Sequence, residues 1–178
     1  DIYVINTCSV TARADFQSRQ LIRKAKKQNP HAKIVVTGCC AHVSPSDIRR
    51  ESVDLVIKNQ HKTLIPKILE KHDAPHNLLR CDDEQTQDNF YDVPLRHFRG
   101  HTRAFLKIQD GCDAFCSYCI IPFARGQKRS LPPDKVLASI KAFCSHHYRE
   151  IVLTGIHLGA YGRDLAPPTS LDILLERI

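Results

Sequence analysis

Three cysteines lie close together in one short segment of the sequence, the three-cysteine loop at 112–119. They are Cys112, Cys116 and Cys119, with the spacing C-x₃-C-x₂-C. Thiolates at this spacing can converge on a single metal centre. They supply one ligand fewer than the four that a closed zinc site or a fully thiolate-ligated iron–sulfur cluster requires. The loop therefore predicts a metal centre that keeps one coordination position open to a substrate or a cofactor.

Other interpretations of the three-cysteine loop compete with this one. A structural zinc site would need a fourth ligand, and His97 and His101 are the nearest upstream histidines. The denser ferredoxin pattern C-x₂-C-x₂-C-x₃-C-P does not occur in the sequence. Unligated thiols this close together would invite oxidation. A non-catalytic, zinc-bearing nucleic-acid-binding module is therefore the alternative from a different functional class.

The composition is typical of a globular protein, and its charge is compatible with a polyanionic partner. Of the 178 residues, 42% are hydrophobic and 25% are charged, and the net charge of +7 suits nucleic acid. No apolar run approaches the roughly 18–20 residues of a membrane span, so we expect no membrane partner. Eight cysteines without an export signal indicate metal or catalytic use in a reducing cytoplasm. The chain contains no Met, and we expect it to be a fragment that lacks at least its N-terminal end.

Strand-like and helix-like segments alternate along the chain. In the first half, strands are predicted at 1–6, 33–37 and 54–57, and helices at 11–28, after 44–47 and near 62–71. In the second half, strands at 104–108 and 150–154 alternate with helices that begin near 130–134 and 170. This alternation predicts an α/β protein with parallel sheets. We place a Rossmann-like N-terminal domain at 1–75, a linker at 76–97 that contains an incidental Cys81, and a second domain at 98–178.

Single cysteines follow the first two predicted strands. Cys8 follows the first strand and Cys39 follows the second. Ligands of parallel sheets bind beyond the carboxyl ends of the strands, so we expect these two cysteines to meet at a binding edge. Cys40 is an alternative ligand to Cys39. Cys144 falls on the apolar stripe of a later helix and is expected to be a core residue.

The helix predicted at 11–28 combines a narrow apolar stripe with a basic outer surface. A solvated helix face is the simpler interpretation, and a phosphate-contacting surface is the alternative. The apolar residues are Phe16, Leu21, Ile22 and Ala25, and the basic residues are Arg13, Arg19, Arg23, Lys24, Lys26 and Lys27.

The three-cysteine loop, with Tyr118 before the last cysteine and a strand before the loop, resembles the radical S-adenosylmethionine superfamily. The resemblance implies a partial (β/α)₆ barrel that begins in the second domain. It also implies that Cys112, Cys116 and Cys119 hold a [4Fe–4S] cluster whose open iron binds S-adenosylmethionine, the source of a radical on reductive cleavage. Further cofactor-binding residues would be Tyr118 against the adenine, Arg125 and Gly155, although Arg125 equally fits a plain surface residue.

Five segments narrow the resemblance to the methylthiotransferase family. They are 6–10, 37–39, 107–112, 120–126 and 153–159. The family resemblance implies a second [4Fe–4S] cluster held by three cysteines of the N-terminal domain. Cys8 and Cys39 match two of these cysteines, and the third would lie upstream of Asp1. Leu131 departs from the family, which commonly has an arginine at this position.

Segments 107–112 and 120–126 are most similar to the branch of the family that modifies threonylcarbamoyladenosine in tRNA. That branch converts N⁶-threonylcarbamoyladenosine at position 37, in the anticodon loop, to its 2-methylthio derivative. The resemblance implies tRNA as partner and an electron donor such as flavodoxin or ferredoxin. The isopentenyladenosine enzyme and the enzyme that modifies a ribosomal-protein aspartate are the alternatives. We expect the 178-residue chain alone to be inactive.

Overall fold

The computed structural model describes residues 1–71 and 102–178, which form two compact units. Among these residues, the first unit contains 1–71 together with Cys116–Arg125, and the second contains 102–115 and 126–178. The segment Cys116–Arg125, expected in the second domain, thus groups with the first unit. The predicted linker at 76–97, with Cys81 and His97, lies outside the described residues, as does His101.

A three-stranded parallel sheet forms the centre of the first unit. Its strands are β1 (Ile2–Thr7), β2 (Lys33–Gly38) and β3 (Leu55–Ile57), in the order β1-β2-β3. The register pairs Ile2 with Lys33 and Thr7 with Gly38. The central strand β2 is buried from Ile34 onward because the helical connections cover the sheet. The prediction of an α/β unit with a parallel sheet is confirmed.

Short helices follow the second and third strands. They are α2 (Cys39–Val43) and α3 (Pro45–Arg49) after β2, and a 3₁₀ helix (Asn59–Leu64) that continues into α4 (Ile65–Lys71) after β3. The segment Cys116–Arg125 adds α5 (Ile121–Arg125) to the unit. The side-chain amide of Asn59 donates to the Ala124 carbonyl at 2.9 Å and anchors α5.

The long helix α1 (Ala12–Gln28) connects β1 to β2. Thr11 caps it by accepting a hydrogen bond from the Ala14 N–H at 3.1 Å. The predicted apolar stripe is only half correct. Ile22 and Ala25 are buried in the core, whereas Phe16 is 57% and Leu21 is 52% exposed. A helix turns through about 100° per residue, so Phe16 lies about 180° from Ala25 and points away from the buried face, whereas Leu21 lies at the edge of that face.

The second unit contains two small sheets. Strands β4 (Arg103–Lys107) and β7 (Glu150–Thr154) pair in parallel, as their positions in the alternating pattern predict. Two-residue strands β5 (Gln109–Asp110) and β6 (Arg129–Ser130) pair antiparallel and were not predicted. The core consists of Ile108, Leu131, Val136, Tyr161 and Leu174. Leu131 is thus a packing residue. The barrel implied by the resemblance stays a prediction.

The helices of the second unit include the one that carries Cys144. They are α6 (Pro133–Ser145), a 3₁₀ helix (Leu158–Ala160) and α7 (Leu171–Glu176). Val136 and Phe143 are buried on α6, but Cys144 is exposed. The prediction that Cys144 is a core residue is wrong, because it lies about 100° around the helix from Phe143. None of the helices in the described ranges combines the length and apolar character needed to cross a membrane.

Replacement of Gly38 tests how closely β1 and β2 approach. Gly38 has φ +104°, and a Cβ there would lie 2.2 Å from the Thr7 carbonyl oxygen. Gly38→Ala should therefore open the end of the β1–β2 ladder and lower the free energy of unfolding by more than about 1 kcal/mol. Urea unfolding followed by circular dichroism measures the loss. Gly159→Ala is the control, because its Cβ would meet nothing closer than 3.6 Å. Equal unfolding midpoints for the two variants would contradict the prediction.

Candidate functional site

Cys8 and Cys39 lie at the same edge of the first sheet. Their preceding residues, Thr7 and Gly38, are register partners at the carboxyl ends of β1 and β2. The Thr7 hydroxyl donates to the Thr37 carbonyl at 2.7 Å and closes this end of the ladder. Cys8 is half-buried and Cys39 is buried. The structure thus places both cysteines at the edge where the sequence predicts a ligand site.

Cys40 has a different environment from its neighbour. Its thiol donates to a carboxylate oxygen of Asp15 at 3.0 Å and lies 3.2 Å from the Cys8 carbonyl oxygen. Burial, followed by the bond to Asp15, raises the pKa of Cys40 to about 11. Burial also raises the pKa of Asp15, but hydrogen bonds from Cys40 and Arg19 outweigh it and hold that pKa below its ordinary value. Within the described residues, the Cys39 sulfur makes no hydrogen bond.

Two hydroxyl groups beside these cysteines have unused hydrogen-bonding capacity. Ser9 Oγ and Thr37 Oγ1 are buried and have no hydrogen-bond partner in the parts of the chain that the structure describes. Ser9 follows Cys8, and Thr37 lies two residues before Cys39. Buried polar atoms are nearly always paired in folded proteins. The edge therefore has both sulfur donors and spare polar groups for a bound ligand, which fits a cluster site.

The three-cysteine loop begins at a tightly packed glycine in the second unit. Gly111 has φ +71°, and a Cβ there would lie 1.9 Å from the Gln127 carbonyl oxygen. The Cys112 N–H donates to the Gly126 carbonyl at 3.1 Å. Only glycine fits so close to another backbone with this left-handed conformation. The backbone at Cys112 is therefore fixed, independently of any ligand.

The part of the loop from Cys116 onward belongs to the first unit and includes its most exposed aromatic side chain. The Cys119 N–H donates to the Cys116 carbonyl at 2.9 Å in a turn, and Cys116 is exposed. The Tyr118 side chain is 89% exposed. Arg125 is the last residue of α5 and is half-buried. The expected roles of Tyr118 and Arg125 in cofactor binding stay predictions.

All seven cysteines of the described residues are free thiols. Three of them in an eight-residue loop form the all-sulfur donor set that iron–sulfur clusters use. Across residues 1–71 and 102–178, no three His, Cys, Asp or Glu side chains are already grouped closely enough to hold a metal ion. The chemistry of the donors fits the predicted cluster, and the assignment of the ligands stays a prediction.

Gln109 is a site residue that the sequence analysis did not single out. It is completely buried, and its side-chain N–H groups donate to the Gly111 carbonyl at 2.8 Å and the Asp110 carbonyl at 3.1 Å. Its side-chain oxygen accepts from the His157 N–H at 2.7 Å. One side chain thus joins the start of the three-cysteine loop to the loop that follows β7. Gln109 lies inside segment 107–112, which resembles the methylthiotransferase family, and this was the one feature of the sequence that could have indicated its role.

The loop after β7 brings a histidine towards the first cysteine. His157 Nδ1 lies 3.8 Å from Cys112 Sγ. Gly155 makes this approach possible, because a Cβ there would lie 2.9 Å from Gln109 Cβ and 2.8 Å from Leu158 Cδ2. The structure therefore explains Gly155 as space for Gln109, and its contact with a cofactor stays a prediction.

The chain is similar in sequence to known proteins. Residues 1–58 match a family described as uncharacterized protein family UPF0004. Over 99% of its length the chain is 43% identical to the threonylcarbamoyladenosine tRNA methylthiotransferase MtaB of Bacillus subtilis, covering 40% of that protein. The Aquifex aeolicus protein of the same name is 42% identical over 92% of the chain, also with 40% of that protein covered.

These matches confirm the resemblance to the methylthiotransferase family, most closely to its threonylcarbamoyladenosine branch. Relatives with a different name also match. The tRNA-2-methylthio-N(6)-dimethylallyladenosine synthase of Fervidobacterium nodosum is 30% identical over 99% of the chain, which covers 40% of that protein. The chain thus spans about two fifths of the length of the relatives named here.

Gln109→Glu tests whether the buried amide holds the two loops together. At pH 7 a carboxylate can still accept from His157, but it cannot donate to Gly111 and Asp110. Two buried carbonyls would lose their donor and a charge would be buried, so we expect a loss of about 3 kcal/mol in the free energy of unfolding. Urea unfolding measures the change. Gln127→Glu is the matched control, because that side chain is exposed. A loss of the same size in both variants would show that the amide hydrogen bonds of Gln109 contribute little.

Proposed function

We propose that the protein containing this chain is a tRNA methylthiotransferase of the bacterial cytoplasm. Its substrate is N⁶-threonylcarbamoyladenosine at position 37 of the anticodon loop, and its product is the 2-methylthio derivative. The observation that carries the proposal is the 43% identity with the Bacillus subtilis protein over 99% of the chain. N⁶-dimethylallyladenosine (isopentenyladenosine) is the second candidate substrate, because a relative named for it is 30% identical over the same share. Modification of a ribosomal-protein aspartate is a weaker alternative, since the relatives named here carry tRNA names.

The proposal assigns two cofactor sites to the described residues. Cys112, Cys116 and Cys119 would hold one [4Fe–4S] cluster, with its fourth position left for S-adenosylmethionine. Cys8 and Cys39 would supply two ligands of a second cluster. When bound, these groups supply radical and sulfur-transfer chemistry, and a flavodoxin or ferredoxin would supply electrons. The protein's own contribution is to fix the Cys112 backbone and to hold Cys8 beside Cys39.

The environment of Cys40 favours Cys39 as the ligand. A cysteine must lose its proton to bind metal, and the Cys40 thiol uses that proton to donate to Asp15 at 3.0 Å. Binding by Cys40 would also break its hydrogen bond to Asp15 and leave that carboxylate without one donor. Cys39 loses no such hydrogen bond among the described residues. We therefore assign Cys39, and not Cys40, to the second cluster.

Adjacent cysteines provide a matched pair for testing this assignment. In the full-length protein, anaerobic reconstitution of Cys39→Ser should remove about half of the bound iron, since one of two clusters is lost. Cys40→Ser should retain the iron, because serine can still donate to Asp15. Iron analysis and visible absorption near 400 nm measure the result. The reverse pattern would show that Cys40 is the ligand. A colourless wild-type protein with stoichiometric zinc would instead support the zinc-bearing nucleic-acid-binding module.

Analysis of the modified nucleosides in tRNA tests which substrate the protein modifies. In a strain that lacks the gene, mass spectrometry should find no 2-methylthio-N⁶-threonylcarbamoyladenosine. The wild-type gene should restore it and Cys112→Ala should not, because that variant lacks one proposed cluster ligand. Loss of the dimethylallyladenosine derivative alone would favour the second candidate. Persistence of both nucleosides would overturn the tRNA assignment.

A further inference from the structure

The basic residues of α1 divide into two groups, and only one group is neutralised. In the first group, Arg19 lies 3.0 Å from Asp15 and Lys26 lies 3.7 Å from Asp54. Arg23 forms a two-point pair with Glu51 at 2.6 and 2.7 Å. The hydrogen bond from Arg23 lowers the pKa of Glu51, so that carboxylate is charged at neutral pH. These acidic side chains are therefore occupied by internal pairs.

The second group consists of Arg13, Lys24 and Lys27. All three are exposed, and none has a hydrogen bond or an ion pair with another described residue. Asp15 is the one acidic residue within α1, and Arg19 and Cys40 already bind it. The three cations consequently form an exposed positive surface.

Helical geometry places these cations in one line. Arg13, Phe16, Gln20, Lys24 and Lys27 follow one another at intervals of three, four, four and three residues. Such intervals align side chains along one face of a helix. We call this face the Arg13–Lys27 stripe. It extends for about 21 Å and lies opposite the buried Ile22.

The stripe combines positive charge with an exposed aromatic ring. Phe16, which is 57% exposed, lies between Arg13 and the two lysines. Cations bind phosphates, and aromatic rings stack on unpaired bases, so proteins that bind single-stranded RNA combine the two. An acidic protein would need the cations but not the ring. The composition of the stripe therefore favours RNA.

We propose that the Arg13–Lys27 stripe contacts the phosphate backbone of a single-stranded RNA loop, with Phe16 stacked on a base. The inference deepens the proposed function, because that function requires the anticodon loop of tRNA. The stripe begins near the proposed cluster site: Thr11, which caps α1, is three residues from Cys8. A loop bound along the stripe would thus have one end close to the Cys8–Cys39 edge.

Charge reversal in the full-length protein tests the stripe. The variant Lys24→Glu/Lys27→Glu should bind tRNA at least about tenfold more weakly in fluorescence anisotropy at low salt. The slope of log affinity against log salt should fall by about 1.4 to 1.8, since two phosphate contacts are lost. Lys141→Glu/Arg149→Glu makes the same change in net charge at exposed positions of the second unit, and it should leave both quantities unchanged. Circular dichroism checks that both variants fold.

The aromatic contribution is tested separately. Phe16→Ala should weaken binding of an anticodon stem-loop several-fold but leave binding of poly-glutamate unchanged, because only a nucleobase can stack on the ring. If the Lys24/Lys27 variant loses affinity for poly-glutamate but keeps its affinity for tRNA, the stripe binds an acidic protein and the proposal is wrong.

Two further outcomes separate this inference from the proposed function. If the wild type binds tRNA and the Lys24/Lys27 variant binds it as tightly as the control, the proposed RNA contact of the stripe is wrong. The proposed tRNA function is then unaffected. If the wild type itself does not bind tRNA, the proposed function fails and the inference fails with it.

Discussion

The close approach of β1 and β2 at their carboxyl ends is the constraint on which the first unit depends. Gly38 has no Cβ, so its backbone can lie against Thr7 in a conformation that other residues rarely adopt. The Thr7 hydroxyl then bonds to the Thr37 carbonyl. Because the ladder continues to its last pair, the next residues of the two strands, Cys8 and Cys39, emerge side by side. A looser end to the sheet would separate the two proposed ligands.

In the second unit, a side chain rather than a pair of strands fixes the position of a cysteine-bearing loop. Gln109 uses both of its amide donors and its oxygen to connect the start of the three-cysteine loop to the loop after β7. Gly155 provides the space that this connection needs. In both units, therefore, a glycine without a side chain permits a hydrogen bond that fixes a cysteine-bearing loop.

The sequence predicts those features that depend on local pattern. The alternation of strands and helices predicts the parallel pairing of β1, β2 and β3, and the position of Cys8 and Cys39 after their strands predicts a common edge. Other features depend on contacts between distant segments. Asp15 and Cys40 are 25 residues apart, so no local pattern shows that the Cys40 thiol donates to the Asp15 carboxylate. The two-residue strands β5 and β6 are too short to produce a periodic pattern. The apolar character of Phe16 places it in the predicted stripe, but it lies about 180° around the helix from Ala25 and is exposed.

The hydrogen bond between Cys40 and Asp15 has a consequence for oxidation. Adjacent cysteines can close into a vicinal disulfide when an external oxidant such as peroxide converts one thiol to a sulfenic acid. The other cysteine then attacks that sulfur as a thiolate and displaces hydroxide. Cys40 is 1% exposed, and burial together with the bond to Asp15 raises its pKa to about 11, so it is a poor nucleophile towards an oxidised Cys39. The hydrogen bond to Asp15 adds to the effect of burial, and both disfavour a side reaction that would consume Cys39. The sulfur of Cys40 is thus less reactive than an exposed thiol because it is buried and because a carboxylate on α1 accepts its hydrogen bond.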